Sequence, residues 1–142
     1  MKLAFIRNIK SHLRHTQVKE ISGASTFIQL LRRRDDVVLA IATGGWEETA
    51  RLKLESAGID YSGIAFASGS DHVGRIDIMK TAEAKCLDSG FCEKSYFGDA
   101  IWDKKASQAL GFNFILVGDQ ISYAKQIMNF NCTDKALALI GL

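Results

Sequence analysis

Two carboxylates stand where an apolar stretch runs into a helix, in Ser95-Tyr96-Phe97-Gly98-Asp99-Ala100-Ile101-Trp102-Asp103. In an α/β protein, ligands bind at the carboxyl ends of the strands. An oxygen-rich turn in that position suits a hard cation such as Mg²⁺. The same pair also has an ordinary structural use, with Asp99 as a turn or N-cap residue and Asp103 as a first-turn charge facing the helix dipole. Thr43-Gly44-Gly45 offers a second chemistry. A hydroxyl at a strand end, followed by two glycines and a helix start, can cradle a phosphate through its side chain and free N–H groups. Alternatively, Thr43 simply caps the helix that begins near Trp46. The third polar group is a base entering a later helix, where Arg75 and Lys80 compete and either could be a solvated surface charge. Arg75 opens that helix, whereas Lys80 lies more than a turn inside it.

The elements that must position these groups follow from hydrophobic patterning. Leu3, Ile6, Ile9 and Leu13 recur at helical intervals and predict a basic amphipathic helix. Ser22 or Ser25 could cap a short helix with Phe27, Leu30 and Leu31 inward. Val37 to Ala42 is a continuous apolar run, the pattern of a strand buried on both faces of a parallel sheet. Thr43-Gly44-Gly45 breaks it, and a helix is predicted from Trp46 to Ala57, ended by Gly58. Ile64 to Ala67 reads as a second strand. It leads through a loop to a helix with Ile76, Met79, Ala82, Cys86 and Leu87 facing in. Ser95 to Phe97 is a third strand, Asp103 to Leu110 a helix closed by Gly111, and Phe112 to Val117 a fourth strand. The tail reads as a short helix near Tyr123–Met128 and a last helix from Asp134. This alternation means right-handed βαβ units, hence an α/β fold with a Rossmann-like parallel sheet and flanking helices.

Composition narrows the setting. With 142 residues, 47% hydrophobic and 24% charged, the chain is one globular domain with a real core. A net charge of +2 is too mild to argue for nucleic acid. Cys86, Cys92 and Cys132 are odd in number and lack metal-ligand spacing, which implies neither a disulfide framework nor a zinc site and fits a reduced, cytoplasmic protein. No apolar run reaches membrane-spanning length, so no membrane partner is expected.

These stretches together resemble the haloacid dehalogenase superfamily, most closely its phosphoglycolate-phosphatase-like members. The resemblance is carried by Leu39 to Trp46, Ala50 to Gly58, Ser68-Gly69-Ser70-Asp71, Gly74 to Met79, and Tyr96 to Asp103, in that order along the chain. It implies that Thr43 binds phosphate with Gly44 and Gly45, and that Arg75, in preference to Lys80, is the basic residue. It further implies that Asp99 holds Mg²⁺, with Asp103 as support or as a further ligand. Such parts suit phosphoryl transfer on a small phosphorylated metabolite: cation and guanidinium neutralise charge, while hydroxyl and N–H groups position it.

One departure from the family pattern stands beside the match. Members begin with a strand ending in Asp-x-Asp, whose first aspartate attacks the substrate and whose second handles its proton. Here the first aspartate in the chain is Asp35, which precedes a strand instead of ending one. Residues 1–22 then read as the tail of a helical cap with its linker, and 23–142 as the C-terminal part of the α/β core. The central first strand would be missing, and the chain alone inactive with Mg²⁺ weakly bound or absent. The alternatives are a non-catalytic relative that binds a phosphate-bearing ligand or a partner, and a truncated remnant without function. A missing central strand leaves three outcomes: its neighbours pair directly, another segment or a second copy fills the slot by self-association, or the fold is unstable alone.

Overall fold

The computed structural model describes Arg7 and residues 17–86 and 93–142. The expected helix Leu3–Leu13 therefore lies outside the described residues apart from Arg7, which is helical and exposed. Helix α1 spans Ala24–Arg32, and Phe27 and Leu31, one turn apart, are its buried residues. It docks by aromatic contact: the Phe27 ring stacks on Phe130 at 5.1 Å and meets Phe97 edge-on at 5.7 Å.

Strand β1 (Ala40–Ala42) leads to helix α2 (Glu47–Ser56), then strand β2 (Ala65–Ala67) and helix α3 (Arg75–Lys85). Next come strand β3 (Ser95–Gly98), helix α4 (Ile101–Leu110), strands β4 (Asn113–Val117) and β5 (Gln126–Ile127), and helix α5 (Thr133–Leu139). Every described ladder is parallel; a helix lies between the paired strands in the first two, whereas a loop alone leads from β4 to β5. The α/β class with flanking helices is what the alternation of apolar runs predicts.

The strands form two sheets. β1 pairs with β2 in the register Ala40↔Ala65, while β3 pairs with β4 and β4 with β5. Among the described residues no ladder joins β1 to β3, so direct pairing of these two strands is not the outcome. Each sheet has its own buried cluster. Phe27, Leu31, Ile115, Ile127 and Ala136 gather against the larger sheet, and Ala67, Ile78 and Ala82 against the smaller. Contact between α3 and α4 links the halves.

Three local expectations are corrected. The segment expected as a helix near Tyr123–Met128 is strand β5, with Gln126 beside Leu116 and Ile127 beside Val117. Its apolar spacing suits either period, and the open edge of β4 decides in favour of the strand. The apolar run Val37–Ala42 is a strand only from Ala40, and it is not buried on both faces: Val38 is 47% exposed. Val37 and Leu39 turn instead onto the larger sheet's core, and β1 has a ladder partner on one side only among the described residues. On α3, Ile76 points outward at 38% exposure, and Ile78, Met79 and Ala82 face in. The face of α3 is set by what it packs on, β2 and α4, which sequence spacing cannot specify. No helix among the described residues is long and apolar enough to cross a membrane.

Candidate functional site

Thr43 lies just past the end of β1, and its N–H donates to the Ala67 carbonyl at 3.0 Å, carrying the β1–β2 pairing one residue further. Its hydroxyl accepts the Gly45 N–H at 3.3 Å and closes a tight turn on itself. Capping of the Trp46 helix by Thr43, one of the two readings above, does not occur. The first-turn N–H of Glu47 is taken instead by Ser70 Oγ at 3.1 Å, from a different loop.

That loop, Ser68-Gly69-Ser70-Asp71, is a part of the site whose work is not legible from its sequence. It is braced internally, with the Ser68 N–H donating to Asp71 Oδ2 at 2.8 Å and the Ser70 N–H to Ser68 Oγ at 3.1 Å. Gly69 donates to the Gly45 carbonyl at 2.9 Å. A side chain at Gly69 would collide with the Gly44 carbonyl, so the close approach of two backbones requires glycine here. The loop thus holds the Thr43–Gly45 turn from behind. A glycine flanked by serines was the available signal.

Arg75 is the first residue of α3, and its guanidinium lies against Gly44, where an added Cβ would stand 3.1 Å from Nη2. Its Nε sits 3.0 Å from Asp103 Oδ1, an ion pair with the two side chains only 19% and 5% exposed. Lys80 is exposed further along α3 and does not line the same space. Of the two competing bases, Arg75 is the one beside the turn.

Asp103, three residues into α4, is held by the backbone around it. Its Oδ2 accepts the N–H groups of Asp99 and Ala100, both at 3.3 Å. Gly98 gives it room, since a Cβ there would come within 2.7 Å of the Asp103 Cβ. Oδ1 is buried with no hydrogen-bond partner; the Arg75 ion pair is close but misaligned for one. Burial raises the Asp103 carboxyl above the ordinary carboxylate value, against the pull of Arg75 and the two N–H groups. Asp99 is exposed at the rim. Tyr96, to which sequence reading gave no role, donates from Oη to the Ala42 carbonyl at 3.0 Å. Burial, reinforced by the nearby Asp103 charge, pushes its phenol up to about 12, so the phenol stays a donor at neutral pH.

Thr43, Arg75, Tyr96, Asp99 and Asp103 all line one cavity of about 400 Å³, open between the ends of β1 and β3. Its other walls are largely apolar, including Phe97 and Phe130. Gly44 and Gly45, expected to bind phosphate beside Thr43, are not among the residues that line it. Asp35 is exposed at the opposite end of β1, away from this cavity, and Asp36 beside it is paired with Arg34 at 2.8 Å.

A family model for haloacid dehalogenase-like hydrolases matches residues 1–117, most of the chain. The chain belongs to this family. No curated protein matches it. For a haloacid dehalogenase-like hydrolase, a divalent cation is the group to test against these residues. Asp103 Oδ1, buried without a hydrogen bond, and the rim carboxylate of Asp99 provide oxygens of the right hardness. No cluster of three or more His, Cys, Asp or Glu side chains is arranged for a metal among the described residues. Two carboxylates are within the number that Mg²⁺ commonly takes when it keeps its waters, although Asp103 Oδ1 already faces the Arg75 guanidinium.

Proposed function

We propose that this chain carries the phosphate-handling side of a Mg²⁺-dependent phosphatase acting on small phosphorylated metabolites. The observation that supports this best is the meeting of Thr43, Arg75, and the pair Asp99 and Asp103, from three separate chain segments, at one cavity. In this reading, the Thr43 hydroxyl and the Gly44 N–H orient the phosphate, while the Gly45 N–H holds the Thr43 hydroxyl in place. Arg75 neutralises its charge from the side. Asp99 and Asp103 would hold Mg²⁺, which when bound offsets negative charge building on the phosphoryl oxygens.

Turnover in such an enzyme passes through an aspartate that accepts the phosphoryl group before water releases it. The only aspartates lining the cavity among the described residues are Asp99 and Asp103, both assigned to the cation in this reading. The chain by itself is accordingly proposed to bind phosphate weakly and not to turn over esters, in a reducing cytoplasmic setting. Purified protein assayed with Mg²⁺ against small phosphate esters should give no rate above background. A Mg²⁺-dependent rate abolished by Asp99→Ala would overturn the inactivity. Absence of any phosphate binding would instead remove the whole reading.

A further inference from the structure

We propose that Tyr96 is a positioning residue whose phenol sets how far the Thr43 turn stands from the Asp99–Asp103 turn. This rests on reading the two turns as one phosphate-handling site. They belong to different sheets: the Thr43 turn follows β1, whose ladder runs to β2, and Asp99 follows β3, whose ladder runs to β4. Neighbouring strands in one sheet are kept about 4.8 Å apart by repeated backbone bonds. Among the described residues no such bonds fix the spacing of β1 and β3.

The hydrogen bond from Tyr96 Oη to the Ala42 carbonyl, 3.0 Å long, stands where that ladder would be. Ala42 is the last residue of β1, and its carbonyl belongs to the peptide that enters Thr43. Tyr96 lies within β3, just ahead of Gly98 and Asp99. The bond therefore joins the two strands at the level of the site. A tyrosine suits this task because a rigid ring turned by only two torsions holds its hydroxyl at a nearly fixed reach. A second link beside the cavity, from Arg75 to Asp103, joins α3 to α4 and does not bond the β1 backbone. Spacing matters because a misplacement of about 1 Å between groups that act on one substrate can cost about a hundredfold in rate.

Tyr96→Phe keeps the ring and removes only the donor. Three amides report on the Thr43 turn: Thr43, bonded to the Ala67 carbonyl, Gly45, bonded to Thr43 Oγ1, and Gly69, bonded to the Gly45 carbonyl. In isotope-labelled, ligand-free protein, Tyr96→Phe should speed hydrogen exchange at these amides about fivefold, the worth of one hydrogen bond. Ile115 and Leu116, buried in β4, should keep their wild-type rates. Replacing Tyr96 with para-aminophenylalanine restores an N–H donor at the same ring position and should return the three amides towards wild type. Unchanged exchange in Tyr96→Phe would overturn the proposal. So would equal acceleration of all amides, β4 included, with no recovery in the amino variant, since that marks lost stability and not lost spacing. No ligand enters the measurement, so its outcome is separate from whether the site handles phosphate.

Discussion

At the scale of single residues, Asp103 is pulled two ways. Its burial disfavours the charge, while Arg75 and two backbone N–H groups favour it, and burial wins. A carboxyl raised in the folded state binds its proton more tightly there than in the unfolded chain. Its contribution to stability is thus lost as pH rises from the ordinary value near 4 through the raised folded value. Asp103→Asn has no such titration. The stability of this variant relative to wild type should improve as pH is raised from about 4 to 7, read as urea midpoints at successive pH values. A drift in the opposite direction would mean that the Arg75 ion pair outweighs burial. Arg75 itself makes a second residue-scale prediction. Charge-assisted hydrogen bonds contribute about 1.5–3 kcal/mol, so Arg75→Ala should weaken inorganic phosphate binding at least tenfold in calorimetric titration. Lys80→Ala should leave it unchanged, because Lys80 faces solvent further along α3. Equal affinity in Arg75→Ala and wild type would reopen the case for Lys80.

At the scale of elements, the site depends on two places where backbone replaces side chain. Gly69 lets the Ser68–Asp71 loop close on the Thr43 turn, and Gly98 lets Asp103 fold back over the end of β3. Neither has a left-handed φ, so space and not backbone freedom is what these glycines supply. Gly98→Ala would force a methyl group into the Asp103 side chain and should cost about 1–3 kcal/mol, the usual range for overpacking. It should also weaken the Asp103 contacts with the Asp99 and Ala100 N–H groups. Urea unfolding gives the first quantity, and amide shifts at Asp99 and Ala100 give the second. A stability change below about 0.5 kcal/mol would mean that α4 can slide to make room.

At the scale of the whole molecule, the two small cores meet, among the described residues, through the α3–α4 contact, the packing of Val37 and Leu39, and a few polar ties. The ties include the Tyr96–Ala42 hydrogen bond, the Arg75–Asp103 ion pair, and the pairing of Lys94, just before β3, with Glu83 on α3. Such a seam predicts uneven cooperativity. Ile115 is fully buried in the larger core, and Ile115→Ala should remove about 2–5 kcal/mol there. Amide protection in β3, β4 and β5 should fall further than protection in β1 and β2 when exchange is followed under native conditions. An equal loss in both halves would show that the seam transmits stability fully and that the molecule unfolds as one unit.

Much of the order of elements was legible in the residues. The apolar run broken at Thr43-Gly44-Gly45 and the helices ended at Gly58 and Gly111 could be read because backbone preference and side-chain period act over a few neighbours. The preference for Arg75 over Lys80 came with the family resemblance, since the residues by themselves left both open. What could not be read locally was every pairing between distant segments. β5 became a strand because β4 offered an edge, and Ile78 displaced Ile76 from the core because of what α3 packs on. The division into two sheets, the ion pair of Arg75 with Asp103, and the reach of Tyr96 to Ala42 each join residues far apart in the chain. Hydrogen bonds and ion pairs of that kind depend on ångström-scale placement. The sequence by itself therefore determined which groups are present and which strand or helix end carries them, and only the tertiary structure decided which of them meet.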